Sequence, residues 1–283
     1  MSCQTLIDAA NLARLAEQGD VLICDCRFDL GDPEAGQRDY SAGHIPGAVY
    51  VDLEKDLSAV PSGTNGRHPL PDRAAFAERM AALGVTQTGL VVAYDNVGGY
   101  YASRLWWMLR WAGHGQVAVL DGGLQAWTQT GRDLEAGEVT PPPGDFEVSS
   151  EPLMPINEVE SIEANLTGGE LLVIDARTAE RFAGAPHPLD TASGHIPGAD
   201  NRFWQNNLMP GGRFKSADLL AQEFSSLLAG RAPATIVHQC GSGVTATHNL
   251  LAMEVAGLTG SRLYPGSWSE WTSDPRRPVA KGS

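Results

Sequence analysis

A cysteine stands where an apolar, strand-like run gives way to a helical pattern. Residues 235–237 are of strand type, Cys240 opens the segment Cys-Gly-Ser-Gly-Val-Thr, and a helical pattern covers residues 245–255. Backbone N–H groups at a helix N-terminus favour a thiolate over a thiol, and two glycines let the loop curl so that its amides converge. The segment therefore predicts a nucleophilic Cys240 beside a cradle for an anion, as sulfur or phosphoryl transfer requires.

Phosphoryl transfer is disfavoured by one position of this loop. A cysteine phosphatase of this loop type needs an arginine six residues after the cysteine to hold the phosphate oxygens, and Ala246 stands there. Without a guanidinium, the charge of a phosphoryl transition state lacks its main partner.

The chain contains two copies of one unit. Gly-His-Ile-Pro-Gly-Ala occurs at residues 43–48 and again at 194–199, and an Asp-x-Arg precedes each copy. Residues 91–127 also align without gaps onto 235–271, which puts Asn96 at the place of Cys240. The repeat predicts an N-terminal domain over residues 1–138 without the nucleophile and a catalytic domain over 152–283, joined across a proline-rich run.

Strand-like and helical patterns alternate within each copy. Alternation of this kind predicts the α/β class, with two tandem domains that each contain a parallel sheet with helices on both faces. The predicted strands include residues 90–94, 117–120, 171–174 and 235–237, and the predicted helices include 73–83, 102–111, 216–228 and 245–255.

Composition limits the partners and the location. With 20 Lys and Arg against 34 Asp and Glu, the net charge is −14, which argues against nucleic acid and anionic membranes as partners. No segment approaches the roughly 18 apolar residues of a membrane span, and the N-terminus lacks a basic leader pattern. We expect a cytoplasmic protein with reduced thiols.

Metal binding is not indicated by the cysteines or histidines. The four cysteines, at positions 3, 24, 26 and 240, include no Cys-x-x-Cys pair, and no two histidines have the i, i+4 spacing of a ligand helix. We expect no metal and no organic cofactor.

Taken together, these motifs resemble the rhodanese superfamily, and in particular its tandem-domain sulfurtransferases. The resemblance covers nearly the whole chain and includes Gly-Ser-Trp-Ser-Glu-Trp at residues 266–271. It implies that Cys240 attacks the outer sulfur of a small anionic donor, becomes a persulfide and passes the sulfur to a thiol, to cyanide or to a small redox protein such as thioredoxin.

The resemblance also implies roles for other residues. Arg181 matches an arginine that binds the donor's anionic group, and Ser242 with His44 matches a serine and an N-terminal-domain histidine that assist proton transfer. The backbone amides that would stabilise the anionic sulfur are those of the loop residues Gly241, Ser242, Gly243, Val244 and Thr245.

The identity of the donor is left open by two conflicting positions. The loop Cys-Gly-Ser-Gly resembles enzymes that use 3-mercaptopyruvate, whereas thiosulfate-type members usually have Cys-Arg-Lys-Gly. Mercaptopyruvate enzymes usually have a second arginine nine residues after the one matched by Arg181, and this chain has Asp190 there. A thiosulfate-preferring enzyme and a noncatalytic sulfur-binding or interaction protein are the alternatives.

Overall fold

A computed structural model describes residues 5–282, which form two compact units, each with one parallel sheet. The first unit contains residues 5–58, 71–153 and 209–214, and the second contains 59–70, 154–208 and 215–282. Segment 59–70, which the predicted boundary at 138 assigns to the first domain, thus belongs to the second unit.

The first unit alternates strands and helices along the chain. Its elements are β1 (Leu6–Ile7), α1 (Ala9–Gln18), β2 (Val21–Asp25), α2 (Ala35–Ala42), β3 (Val49–Tyr50), α3 (Arg73–Ala82), β4 (Leu90–Tyr94), α4 (Ala102–Trp111), β5 (Val117–Leu120) and α5 (Gly123–Thr128). The sheet order is β1-β5-β4-β2-β3, with every pairing parallel.

The second unit repeats this alternation. Its elements are α6 (Val159–Gly168), β6 (Leu172–Asp175), α7 (Ala179–Ala183), β7 (Asp200–Asn201), a 3₁₀ turn (Trp204–Asn207), α8 (Ala217–Leu228), a second 3₁₀ turn (Pro233–Thr235), β8 (Ile236–Gln239), α9 (Ala246–Val255), β9 (Arg262–Leu263) and α10 (Ser267–Trp271). The sheet order is β7-β6-β8-β9, again parallel throughout.

Burial on both sides explains why β5 and the first half of β8 are apolar. All residues of β5 and β8 are buried, as expected where helices cover both faces of a parallel sheet. The core of the first unit packs around Val92 and Trp127, and that of the second around Val237 and Trp268. The predicted α/β class is thereby confirmed.

The predicted elements agree with the structure to within two residues at their ends. Strands β4 and β5 and helix α4 have the predicted bounds, while β8 begins one residue later and ends at Gln239. Pro233 explains this shift, because its fixed φ suits the 3₁₀ turn that delays the strand.

Candidate active site

Cys240 lies at the carboxyl end of β8, directly before the loop that leads into α9. Its side chain is buried, with 1% of the residue exposed. The loop ends at Thr245, the residue that precedes the first turn of α9, and both Val244 and Thr245 are buried. The structure therefore places the predicted nucleophile at a strand end, before the loop that leads to the N-terminus of α9.

Hydrogen bonds with the first three residues of α10 hold Cys240 and Gly241 in place. The amide of Cys240 donates to Ser267 Oγ over 3.1 Å, and the amides of Trp268 and Ser269 donate to the carbonyls of Cys240 and Gly241, each over 3.0 Å. Ser267 has a positive φ of 53°, which costs a non-glycine residue about 1 kcal/mol or more. Its hydroxyl also donates to Tyr264 O, so the strained backbone is held by the same side chain that holds Cys240.

Two glycines of the loop are required for different reasons. Gly243 has a φ of 76°, and a Cβ there would lie 2.2 Å from Pro265 O. Gly241 is needed because two arginine side chains lie close to it. A Cβ on Gly241 would lie 2.9 Å from Arg67 Nη2 and 3.3 Å from Arg181 Nη2. Two guanidinium groups therefore border the loop next to Cys240.

The matching loop of the first unit already holds an anion of its own. The buried carboxylate of Asp95 accepts hydrogen bonds of 2.8–3.0 Å from four amides of its loop, those of Val97, Gly99, Tyr101 and Ala102. Burial raises the pKa of Asp95, and the four amides oppose that rise. A loop of this conformation can therefore gather several amides around one anion.

Gln239 replaces this acid in the second unit. The four amides that Asp95 engages correspond, without gaps, to those of Gly241, Gly243, Thr245 and Ala246. Within residues 5–282, no acceptor is found for the amides of Gly241, Thr245 and Ala246. The neutral side chain of Gln239 is buried and makes no hydrogen bond with any of the described residues 5–282. The loop with the cysteine thus has amide donors for an anion that it does not itself contain.

Arg181 is paired with Asp190, the residue that departs from the mercaptopyruvate pattern. Its Nε and Nη2 donate to the two Asp190 oxygens over 2.9 and 2.7 Å, and Arg177 Nη1 lies 3.5 Å from the same carboxylate. Burial disfavours the charge of Asp190, but Arg181 and then Arg177 outweigh it and hold the pKa of Asp190 below its usual value. Arg181 therefore borders the loop with one edge of its guanidinium group already hydrogen bonded to Asp190.

Ser242 is hydrogen bonded to a histidine that sequence analysis did not select. The Oγ of Ser242 lies 2.8 Å from His68 Nδ1, and both residues are buried. His68 comes from segment 59–70 of the second unit, as does Arg67. The structure thus brings Ser242, Arg181 and the loop together with two further residues, Arg67 and His68.

His44 has the contacts of its twin in the repeated motif, His195. His44 stacks on Tyr40 at 4.1 Å and its Nδ1 lies 2.9 Å from Tyr40 O, while His195 stacks on Phe182 at 3.7 Å with Nδ1 2.8 Å from Phe182 O. His44 is fully buried within the first unit. The catalytic role expected of it remains a prediction, and its observed contacts are those of loop packing.

The paired arginines of the repeat have a structural role. Arg27 donates hydrogen bonds to the Asp25 carboxylate and, over 2.8 Å, to Gly43 O. Arg177 likewise donates to the Asp175 carboxylate and, over 2.7 Å, to Gly194 O. Each pair ties the Gly-His-Ile-Pro-Gly-Ala segment to the end of a central strand. Both units therefore position this motif by the same contacts.

Arg67 and His68 were missed because nothing nearby in sequence points to them. They follow the stretch Pro-Ser-Gly-Thr-Asn-Gly, which reads as an exposed loop, and His68 is 174 residues from Ser242. The only available signal was a basic residue adjoining a histidine in a segment without periodicity.

Residues 5–282 contain no cluster of three or more His, Cys, Asp or Glu side chains suited to a metal ion. No helix in this range has the length and apolar character needed to cross a bilayer.

Comparisons with known proteins agree with this architecture. The model of the rhodanese-like domain matches residues 8–130 and 158–274. A probable 3-mercaptopyruvate sulfurtransferase of Pseudomonas aeruginosa is 47% identical over 100% of both chains, and a putative thiosulfate sulfurtransferase of Mycobacterium tuberculosis, SseB, is 39% identical over 99% of this chain and 98% of its own. The crystal structure of SseA from Escherichia coli, a 3-mercaptopyruvate sulfotransferase, superposes with a TM-score of 0.81 at 33% identity and covers 94% of this chain and 99% of that one.

The fold and the site define a duplicated α/β protein with one cysteine-loop centre. The double match of the rhodanese-like domain covers most of the chain. The chain belongs to the rhodanese family, among its tandem-domain sulfurtransferases.

Proposed function

We propose that this protein transfers sulfur from 3-mercaptopyruvate, through a persulfide on Cys240, to a thiol or cyanide acceptor. The observation that carries the proposal is the pair of matched loops. One loop surrounds the Asp95 carboxylate with four amides, and the other offers the corresponding positions to an anion on the neighbouring cysteine. An anionic persulfide is such a group, and preorganised amides stabilise it without reorganisation.

The first half of the reaction loads the cysteine. The Cys240 thiolate attacks the donor's sulfur, an S–S bond forms, and the C–S bond breaks with its electron pair going to carbon. The leaving group is the enolate of pyruvate, which takes up a proton to become pyruvate. In the second half, an acceptor thiolate or cyanide attacks the outer sulfur and the Cys240 thiolate leaves, so the cycle is ping-pong.

His68, rather than His44, is the histidine we propose for the proton transfer. Ser242 Oγ lies 2.8 Å from His68 Nδ1, so the hydroxyl has a partner able to exchange protons near neutral pH. Proton delivery matters for a departing enolate and not for sulfite, the product of thiosulfate. Loss of His68 is therefore expected to slow loading by 3-mercaptopyruvate more than loading by thiosulfate.

The loop sequence and the named relatives both bear on the choice between 3-mercaptopyruvate and thiosulfate as donor. The Cys-Gly-Ser-Gly loop and the Pseudomonas aeruginosa relative favour 3-mercaptopyruvate, while the Mycobacterium tuberculosis relative is named for thiosulfate. Arg181 would bind the carboxylate or sulfonate of either donor through its edge away from Asp190, since a guanidinium has five N–H donors. The Ser242–His68 pair is the feature that favours the donor whose leaving group needs a proton.

Acceptors and location follow from the same chemistry. A small redox protein such as thioredoxin, a low-molecular-weight thiol or cyanide would serve, because each provides a nucleophile for the outer sulfur. A cytoplasmic location, where thiols stay reduced, suits an enzyme whose described cysteines are all unpaired.

Steady-state kinetics with each donor and cyanide test the proposal. We expect C240S to be inactive with both donors, and H68Q to lose about 10²-fold or more in kcat with 3-mercaptopyruvate but little with thiosulfate. H44Q is measured in parallel. A selective loss in H44Q and none in H68Q would return the role to His44, and full activity of C240S would refute the mechanism.

A further inference from the structure

The segment that carries His68 packs against the start of α10. The amide of Arg67 donates to Ser269 Oγ over 3.1 Å. At Gly66 the segment comes so near that a Cβ would lie 2.9 Å from Gly266 O and 3.3 Å from Ser269 Oγ. Gly66 also has a φ of 86°, which glycine adopts without strain. Ser269 therefore lies where this segment meets the helix.

Ser269 also holds the cysteine loop. Its amide donates to Gly241 O over 3.0 Å. Its hydroxyl donates its one hydrogen to Gly266 O over 3.2 Å, so the lone pairs of Oγ are left to accept from the Arg67 amide. The backbone of Ser269 thus binds the loop that contains the cysteine, and its side chain binds the segment that contains the histidine.

These contacts close a ring of three hydrogen bonds and two peptide bonds. Ser269 Oγ accepts from the Arg67 amide, and His68 is the next residue of the chain. His68 Nδ1 lies 2.8 Å from Ser242 Oγ, and Gly241 directly precedes Ser242. Gly241 O accepts from the Ser269 amide, which completes the ring. A shift of Arg67 on α10 therefore moves His68 relative to Ser242.

We propose that Ser269 is a positioning residue that holds His68 at hydrogen-bond distance from Ser242 through the backbone of Arg67. The inference rests on the proposed function, since His68 is the proton-transfer partner in that reaction. Proton transfer requires heavy atoms about 2.6–3.2 Å apart, so a displaced imidazole loses rate. Loss of the Ser269 hydroxyl should therefore slow the donor whose leaving group takes up a proton more than it slows thiosulfate.

Matched substitutions at position 269 test the proposal. S269V and S269T have side chains of nearly the same shape, so the pair separates loss of the hydroxyl from the added bulk. The control is S273A, which removes a hydroxyl that donates to Glu270 O over 2.8 Å and lies 3.4 Å from Thr64 O of the same segment. Chemical denaturation checks that each variant is folded.

Two readouts separate this inference from the proposed function. The first is kcat with 3-mercaptopyruvate and with thiosulfate, for each variant alone and in combination with H68Q. The second is hydrogen–deuterium exchange of segment 59–70, measured by mass spectrometry of its peptides. Exchange reports how firmly this segment is held on α10 and needs no sulfur transfer, so it is informative even if neither donor is used.

We expect S269V to have a kcat with 3-mercaptopyruvate about 5- to 30-fold below that of S269T, and a kcat with thiosulfate within about twofold of it. In the H68Q background the two variants should have equal kcat, because a residue that acts through His68 has no effect once His68 is lost. The Arg67 amide should exchange about tenfold faster in S269V than in S269T. S273A should match the unmodified protein in both readouts.

Equal kcat and equal exchange in S269V and S269T would overturn the role of Ser269. An equal loss of kcat with both donors, or a loss that persists in the H68Q background, would also overturn it, because the effect would then not pass through His68. Faster exchange in S269V, together with no persulfide on Cys240 in the unmodified protein, would support the contact of Ser269 with this segment and refute the proposed function alone.

Discussion

Substitution of Asp190 by asparagine is expected to strengthen the binding of anionic donors. Asp190 accepts from Arg181 over 2.7 and 2.9 Å, and it is nearly inaccessible to solvent, with 3% of its side chain exposed. D190N removes one negative charge and releases the Nε–Nη2 edge of Arg181 for a ligand. The expected sign is therefore opposite to that of R181A, which removes the group that we propose to bind the donor.

The size of the effect follows from Coulomb's law. A donor anion on the far edge of Arg181 would lie about 6 Å from the Asp190 carboxylate, and at an effective dielectric constant of about 20 their repulsion is about 3 kcal/mol. Arg181 is partly exposed, with 18% of its side chain accessible, so solvent and salt reduce this figure. We expect about 1–2 kcal/mol, or roughly a 5- to 30-fold fall in KM.

The assay is donor kinetics at low and high salt, with D274N as the control. Asp274 also pairs with an arginine through both oxygens, but on an exposed part of the same unit. We expect D190N to lower KM for both donors at low salt, less so at high salt, and D274N to leave KM unchanged. Chemical denaturation records any loss of stability, which we expect to be about 1–3 kcal/mol.

A KM in D190N that equals that of D274N would refute the reasoning. Mild acid cannot substitute for the mutation: the arginines hold the pKa of Asp190 below its ordinary value, so the carboxylate remains ionised over the usable pH range. A fall in KM on acidification from pH 7 to 5 would therefore also contradict this assignment.

Three further predictions concern the loops and the core. S267A should lose about 1–3 kcal/mol of its free energy of unfolding in chemical denaturation and should load Cys240 with sulfur more slowly, because it lacks the hydroxyl that accepts from the Cys240 amide. S267G should regain stability, since glycine tolerates a positive φ, but it should not regain the loading rate. In a C240S background, N96C should acquire no sulfur by mass spectrometry, whereas N96C with D95Q should acquire it, because the Asp95 carboxylate already uses the loop amides. Burial lowers the pKa of His238 to about 3, so its contribution to stability is complete above pH 6.5 and is lost as pH falls from 6.5 toward 3. The free energy of unfolding of H238Q should therefore depend less on pH in that range. An identical pH dependence in H238Q and the unmodified protein would refute this prediction.

Local patterns were sufficient for the fold and for the position of Cys240. The alternation of apolar and helical runs placed β4, β5 and α4 at their observed bounds, because parallel strands and amphipathic helices are recognised by their own periodicity. The strand-like run before Cys240 and the helical pattern after it placed this residue between β8 and α9 for the same reason. A cysteine between a strand and a helix is a local arrangement.

The partners of the site depend on long-range contacts that periodicity does not encode. His68 meets Ser242 across 174 residues, and its segment has no regular pattern, so the repeated His44 was the histidine that stood out. The structure gives His44 the same stacking and hydrogen bond as His195, which explains its repetition by the loop fold. The charge at position 190 was visible, but its pairing with Arg181 was not.

The most direct test of the account is to locate the transferred sulfur. The protein is incubated with 3-mercaptopyruvate without an acceptor, and intact and peptide masses are recorded for the unmodified protein and for C240S. The account predicts a gain of one sulfur atom on the peptide that contains Cys240, lost again on addition of cyanide, and no gain in C240S. Sulfur on another cysteine, or turnover without any sulfur on Cys240, would contradict it.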